Sequence, residues 1–346
     1  MDMSQPVAGA PELGRVISSQ GPLALSDVAL LLVEHGCLDI TSKMNQASIS
    51  EYPLHSGGFG DVYTGQLKDD TKVAVKCARH CPLDNETRQE LKLLAREIYS
   101  WSKCKHANVL ELLGFTCHRG KLATVSPWME NGTLPEYISH KMDLNYLDLC
   151  LKVSRGLSYL HSNNIIHGDL KGANILVSES GEPKLTDFGN TKLKEQSLKF
   201  TTRTSPVYSL RWAAPEILNG SPCTLQSDVY ALGMTIYEIV NNNVPYHDKH
   251  DLAVPVEVLV YRRFPSRHDD AIRIQGPTNW LWTLMTDCWD HDPLVRPLAS
   301  DVEAKLATKM THGPVELIGV LKKAARPSLD IEVGGLSHTS STGGTS

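Results

Sequence analysis

Apolar and polar positions follow two different patterns along this chain. Between residues 49 and 124 the apolar residues come in short alternating runs, typical of β-strands, at 62–64, 72–76 and 123–125. One longer pattern at 86–103 has apolar residues three and four positions apart, separated by charged ones, which predicts an amphipathic α-helix. A mainly β region with one helix is therefore expected in this part.

After Gly132 the periodicity becomes mainly helical. Helical spacing is found at residues 146–161, 226–240, 278–289 and 297–307. A small, mainly β lobe followed by a larger, mainly α lobe predicts a two-lobed α+β fold.

The two ends of the chain differ in composition from the middle. Residues 1–20 are rich in Gly, Pro, Ser and Ala, and the last twenty residues hold few apolar side chains. We therefore predict a flexible extension at 1–48, one folded domain at 49–310 with lobes at 49–129 and 130–310, and a flexible tail at 311–346.

Charge and cysteine usage exclude some classes of function. The formal net charge is -5, which offers no basic field for a nucleic acid. The apolar run at 23–33 contains Asp27 and is too short to span a bilayer, so no membrane insertion is expected. Eight scattered cysteines without a C-x-x-C pair favour reduced thiols, and hence a cytoplasmic protein.

A glycine-rich segment, residues 55–62, lies between two strand-like runs. Gly57, Gly58 and Gly60 would let backbone amides approach phosphate oxygens without side chains intervening. The same pattern is also typical of an ordinary turn.

Lys76 ends an apolar strand and needs an anionic partner if it is buried. Phosphate oxygens or a carboxylate would serve, and the carboxylate candidate is Glu97 on the amphipathic helix, with Glu90 as the alternative. An exposed lysine and an ordinary solvated helix glutamate remain the alternative interpretation.

Three further polar residues stand among apolar strands and tight turns. Asp169 in His-Gly-Asp is followed five positions later by Asn174, and Asp187 in Asp-Phe-Gly comes thirteen positions after that. Such a set supplies oxygen ligands for Mg²⁺ and a base for a hydroxyl group.

Together these motifs resemble a eukaryotic protein kinase of the serine/threonine type, from about residue 49 to 307. The resemblance implies a two-lobed kinase fold that transfers the γ-phosphoryl group of ATP to serine or threonine hydroxyls of a protein substrate, with Mg²⁺ as cofactor. Lys171, in D-L-K-x-x-N, and Ser209 fit the serine/threonine type. Arg211-Trp212 is similar to the tyrosine-kinase-like branch.

The resemblance also implies individual roles. Asp169 would be the catalytic base, supported by Lys171, Lys76 and Glu97, and the metal would be held by Asn174 and Asp187. The residues expected to contact the nucleotide are Gly57, Gly58, Phe59, Gly60, Val62, Ala74, Lys76, Ser126, Pro127, Met129, Asn174 and Asp187. Of these, Pro127 and Met129 would offer backbone groups to adenine from a hinge at 125–129.

Other matches bear on the fold more than on the chemistry. Ala214-Pro215-Glu216 would close the activation segment, the stretch from Asp187 to Glu216. The resemblance implies that Glu216 pairs with Arg296 and that Asp228 braces the loop around the catalytic aspartate.

Two departures keep alternatives open. His55 replaces the first glycine of the loop motif, and Gly168 replaces the arginine of His-Arg-Asp. A nucleotide-binding pseudokinase scaffold and a small-molecule phosphotransferase are the rival interpretations. Gly168 also predicts an activation segment that orders without phosphate, unless Arg203 or Arg211 supplies the missing guanidinium. Regulation would then act through the glycine-rich loop, the helix of Glu97 or a partner protein.

Overall fold

The computed structural model describes residues 25–57, 60–77, 85–141, 143–188, 207–267 and 278–324. The strands in these ranges are β1 (Met44–Asn45), β2 (His55–Gly57), β3 (Gly60–Leu67), β4 (Lys72–Cys77), β5 (Gly114–His118), β6 (Lys121–Pro127), β7 (Ile175–Val177) and β8 (Pro183–Leu185). The α-helices are α1 (Leu25–Glu34), α2 (Asn85–Ser102), α3 (Leu134–His140), α4 (Tyr146–Ser162), α5 (Pro215–Leu218), α6 (Leu225–Asn241), α7 (Val254–Leu259), α8 (Asn279–Cys288) and α9 (Ala299–Ala324). Short 3₁₀ helices lie at Thr41–Lys43, Gln46–Ser48, Gly172–Asn174, Val207–Trp212 and Asp251–Ala253.

The first lobe is built on an antiparallel sheet. Its strand order is β1-β3-β4-β6-β5, with β2 also paired to β3. Strand β4 shows why the sequence forms a sheet here. Val73 and Val75 are buried on one face, while Ala74 and Lys76 on the other face are partly exposed. The predicted strands at 62–64, 72–76 and 123–125 all lie within this sheet.

Helix α2 packs its apolar stripe inward, as the spacing predicted. Ala95, Ile98 and Trp101 are buried, and the Trp101 indole donates a hydrogen bond to the Leu110 carbonyl over 2.6 Å.

The second lobe is organised around α6. Almost every residue of this helix after its first turn is buried, because apolar residues cover all of its sides. Thr224 begins the helix with a capping box to Ser227, and Asn242 ends it in the left-handed conformation. Helices α4 and α8 pack against α6, so the loops between them rest on a rigid core. The two-lobed α+β prediction is confirmed.

The N-terminal extension differs from its prediction. Residues 25–48, expected to be flexible, form α1 and β1, and β1 pairs with β3. The apolar run at 23–33, too short to cross a membrane, contributes to the hydrophobic core. Val28, Leu31 and Leu32 form the buried face of α1. Residues 1–24 lie outside the described residues.

The expected domain boundary at 310 falls within a helix. Helix α9 continues to Ala324, while residues 325–346 lie outside the described residues. Among the described residues no helix is long and apolar enough to cross a membrane.

Candidate active site

A buried carboxylate on α6 shapes the loop around Asp169. Asp228 accepts hydrogen bonds from the backbone N–H groups of His167, over 2.7 Å, and Gly168, over 2.8 Å. Nε2 of His161 lies 3.0 Å from Oδ2 of the same carboxylate. Because α6 is rigid, these contacts hold the chain in a defined conformation just before Asp169, as the resemblance implied.

The Asp169 side chain is itself tightly held. Lys171 places its ammonium nitrogen 3.0 Å from Asp169 Oδ2 and 3.0 Å from Ser209 Oγ. The Asn174 amide Nδ2 donates to the Asp169 carbonyl over 2.7 Å and to Oδ2 over 3.0 Å. The carboxylate is nearly buried, so these donors fix the direction in which it faces.

The predicted lysine has an ion-pair partner that the sequence did not assign to it, and it is also influenced by the predicted Glu97. Lys76 on β4 forms an ion pair with Asp187, whose side chain is partly buried. Burial alone would lower the pKa of Lys76, but the negative charges of Asp187 and Glu97 together raise it above its usual value. The Lys76 ammonium therefore contacts the Asp187 carboxylate and is stabilised in its charged form by both acidic residues.

A short hairpin brings the two proposed metal ligands together. Strands β7 and β8 pair with Ile175 opposite Leu185, so Asn174, before the first strand, lies beside the residues that follow the second. The Thr186 N–H donates to the Asn174 carbonyl over 3.0 Å. Asn174 uses its amide nitrogen toward Asp169, which leaves its amide oxygen as the atom that would bind a cation. Together with the Asp187 carboxylate it forms an oxygen donor set that fits Mg²⁺.

The sheet register aligns the residues expected around the nucleotide. Val62 on β3 lies opposite Lys76 on β4, and Ala74 lies opposite Ser126 on β6. In the loop hairpin Gly57 pairs with Gly60. Gly58 and Phe59, also predicted to contact the nucleotide, lie outside the described residues.

The hinge after β6 is attached to the sheet by its backbone. The Trp128 N–H donates to the Lys72 carbonyl over 3.2 Å, and the Gly132 N–H donates to the Met129 carbonyl over 3.1 Å. A carbonyl oxygen accepts two hydrogen bonds, so Met129 keeps the capacity predicted for it. The adenine contacts of Pro127 and Met129 stay a prediction.

The glycine that replaces the usual arginine has a conformational reason to be there. Gly168 has a φ of 77°, in the left-handed region that favours glycine.

Arg211 does not substitute for the missing guanidinium. It donates to the Asp251 carboxylate over 2.7 Å and to the Lys249 carbonyl over 2.9 Å, so its donors are engaged elsewhere in the second lobe. Arg203 lies outside the described residues.

Sequence reasoning missed one buried carboxylate beside the loop. Glu238 on α6 accepts hydrogen bonds from the Gly172 N–H, over 2.9 Å, and from the Trp212 indole, over 3.0 Å. Burial raises the pKa of Glu238 to about 7. An acidic residue among the apolar residues of the second half of α6 was the signal that could have revealed it, since such a group requires buried donors.

The ion pair predicted to close the activation segment is also present. Both guanidinium NH₂ groups of Arg296 contact the Glu216 carboxylate, over 2.7 and 2.8 Å, and Nε donates to the Asp290 carbonyl. This bidentate pair anchors α5 to the second lobe.

A protein-family comparison agrees with this arrangement. The model for the protein tyrosine and serine/threonine kinase family matches residues 50–306, which is most of the chain. The chain belongs to this family. The predicted resemblance to eukaryotic protein kinases is confirmed.

Individual kinases with similar sequences include members of both substrate classes. Serine/threonine-protein kinase STY46 of Arabidopsis thaliana is 30% identical over 262 residues, which cover 74% of this chain and 43% of the relative. Serine/threonine-protein kinase STY17 of the same plant is 29% identical, with coverage of 75% and 44%. Tyrosine-protein kinase Fer of Rattus norvegicus is 28% identical, with coverage of 73% and 30%. The chain thus spans less than half the length of these kinases.

Proposed function

We propose that this kinase-family chain transfers the γ-phosphoryl group of ATP to serine or threonine hydroxyls of a protein substrate. The observation that carries the proposal is the arrangement around Asp169, whose carboxylate is held by Lys171 and Asn174. The proximity of Lys76, Glu97 and Asp187 supports the same reaction.

In this proposal the chain neutralises phosphate charge from several directions. Lys76 would contact the α- and β-phosphates, with Glu97 keeping its ammonium in place. Asn174 and Asp187 would hold Mg²⁺, which supplies positive charge to the phosphate oxygens. Phosphoryl transfer has a loose transition state, so positioning and charge neutralisation are the main tasks of the protein.

Asp169 would orient the substrate hydroxyl and accept its proton. Its two close donors, Lys171 and Asn174, favour the ionised carboxylate that this role requires. Lys171 would also reach the transferring phosphate, so one ammonium group would serve both the base and the phosphoryl group.

Serine/threonine specificity is the finer part of the proposal. It is supported by the contact between Lys171 and Ser209, two residues that the sequence associated with this substrate class. Among the similar proteins, STY46 and STY17 are serine/threonine-protein kinases, which agrees with it, whereas Fer is a tyrosine-protein kinase.

The experiment is transfer from radiolabelled ATP to a generic basic protein, with and without a magnesium chelator. We expect label that disappears with the chelator and with Lys76→Met, whereas Lys72→Met, four residues earlier on the same strand and exposed, retains activity. Acid hydrolysis of the product should release phosphoserine or phosphothreonine.

Each other result has a distinct meaning. Predominant phosphotyrosine would refute the substrate class and leave the kinase activity intact. Nucleotide binding without transfer would favour the pseudokinase interpretation, and label on a small molecule but not on protein would favour a small-molecule phosphotransferase.

Cytoplasmic localisation also stays a proposal. It is supported by the free thiols of the cysteines within the described residues. A regulatory protein partner is proposed on the basis of Gly168, which removes the usual phosphate-binding arginine.

A further inference from the structure

The N-terminal helix α1 has one face buried and another exposed. Val28 and Leu32 are fully buried and Leu31 nearly so, whereas Leu30 is 62% exposed on the other side of the helix. The buried side packs in one cluster with Ala95, Ile98 and Tyr99 of α2 and with Phe115 and Leu122 of the sheet. Helix α1 is thus part of the hydrophobic core of the first lobe.

The surface of α2 that α1 covers lies away from Glu97. Successive residues of an α-helix are about 100° apart, so Ala95 and Tyr99, two positions to either side, point roughly 160° from Glu97. One face of α2 therefore supports Glu97 beside Lys76, while the nearly opposite face is packed under α1. A helix moves as a stiff body, so a shift on one face displaces the other.

The segment that follows α1 attaches it to the sheet. The Phe115 N–H donates to the Leu38 carbonyl over 2.9 Å, and the Ile40 N–H donates to the Phe115 carbonyl over 3.0 Å. The backbones approach so closely that a Cβ atom on Gly114 would lie 2.4 Å from the Leu38 oxygen. Strand β5 thus holds this segment independently of α2.

Polar contacts also connect the end of α1 to the end of α2. The Lys103 ammonium donates to the His35 carbonyl over 3.2 Å and lies 5.0 Å from the centre of the Tyr99 ring. The Cys37 thiol donates to the Ser102 hydroxyl over 3.5 Å. These contacts fix α1 along the last turns of α2, close to Glu97.

We propose that residues 25–40 are a positioning element for Glu97. Helix α1, anchored on β5, supports α2 from its outer face and thereby keeps the Glu97 carboxylate directed at Lys76. The catalytic consequence rests on the proposed kinase activity, whereas the support of α2 does not. The residues that carry the effect are Val28 and Leu32.

The test compares Leu32→Ala with Leu30→Ala in the full chain. Both changes remove the same side chain from the same helix, but only Leu32 is buried in the cluster that includes residues of α2. We expect Leu32→Ala to lower kcat about tenfold, about 1.4 kcal/mol of barrier, with KM for the peptide changed less than twofold. Leu30→Ala should leave both constants unchanged, and the conservative Leu32→Met should restore most of the rate.

A double-mutant cycle with Glu97→Gln asks whether the effect passes through Glu97. In the Glu97→Gln background Leu32→Ala should change kcat less than twofold. An equal loss in both backgrounds would overturn the proposal, because it would show that Leu32 acts independently of Glu97.

Hydrogen–deuterium exchange of the same proteins tests the support of α2 without any assay of activity. Leu32→Ala should accelerate exchange over residues 91–102 and leave α6 protected, while Leu30→Ala changes neither. Unchanged exchange in α2 would overturn the proposal even in an active kinase.

If the unsubstituted chain transferred no phosphate, the proposed function would fail. The exchange result would still show whether α1 supports α2. If Leu32→Ala lost protection in α6 as well, Val28→Ala would replace it in every arm.

Discussion

The ammonium nitrogen of Lys171 lies 3.0 Å from Oδ2 of Asp169. The same ammonium lies 3.0 Å from the hydroxyl of Ser209, so it links the proposed base to the end of the activation segment. This contact orients the carboxylate before any substrate binds, which is the condition that general-base catalysis requires.

The first prediction concerns this carboxylate. Asp169→Asn should lower kcat by about 10²- to 10⁴-fold, because the amide cannot accept the hydroxyl proton. Nucleotide affinity, measured by calorimetry, should stay within about threefold, since in the proposed mechanism the side chain would contact the substrate hydroxyl and not the nucleotide. Asp143→Asn, an exposed carboxylate, is the matched control. A variant at Asp169 that kept more than a tenth of the turnover would contradict the assignment.

The second prediction concerns regulation. Gly168 offers no guanidinium to a phosphate, and Arg211 is engaged with Asp251, so phosphate on the activation segment lacks these two partners. Phosphatase treatment, and separately Ala substitution of Thr201, Thr202, Thr204 and Ser205, should change the initial rate on an added peptide less than tenfold. A larger fall in both samples would show that phosphorylation of this segment controls the kinase.

The third prediction concerns the stability of the second lobe. Arg296→Ala should reduce the free energy of unfolding by about 3–5 kcal/mol, because it leaves the Glu216 carboxylate without its buried partner. Lys72→Ala, which breaks the exposed pair with Glu130, should cost less than about 1 kcal/mol. Urea denaturation of both variants makes the comparison, and equal losses would contradict it.

The fourth prediction concerns pH. The raised pKa of Glu238, about 7 against an ordinary value of 4.5, means that the folded protein binds this proton more tightly than the unfolded chain. Its contribution to stability is complete below about pH 4.5 and declines as the pH rises through 7.

Glu238→Gln keeps an acceptor oxygen but cannot ionise. Between pH 5 and 8 it should therefore gain stability relative to the unsubstituted protein, by up to about 3 kcal/mol. Thermal unfolding at a series of pH values measures this, with Glu179→Gln as the exposed control. Parallel pH profiles for Glu238→Gln and the unsubstituted protein would refute the prediction.

Local periodicity predicted much of the fold, and the motif spacing indicated which residues come together around Asp169 in the candidate site. The strand runs and the helix carrying Glu97 depend on short-range alternation, which the sequence displays directly. The burial of Leu32 in one cluster with Ile98 could not be predicted in this way, because periodicity shows which face of a helix is apolar and not what covers it. The same limit applies to Glu238 and Arg211, whose partners are distant in sequence.

The pairing of residues 38–40 with β5 has a further consequence for the protein in solution. Strand β5 stands at the end of the sheet order, and unpaired backbone groups at such a position are templates for association with other chains. The Leu38 carbonyl and the Ile40 N–H form hydrogen bonds with the backbone N–H and carbonyl of Phe115, which this edge of the strand would otherwise leave unpaired. A fragment that begins at residue 50, where the family match begins, would lose this cover together with α1 and expose Phe115. Aggregation of that fragment would then reflect an uncovered strand and the lost core packing of α1, and not a defect within residues 50–306.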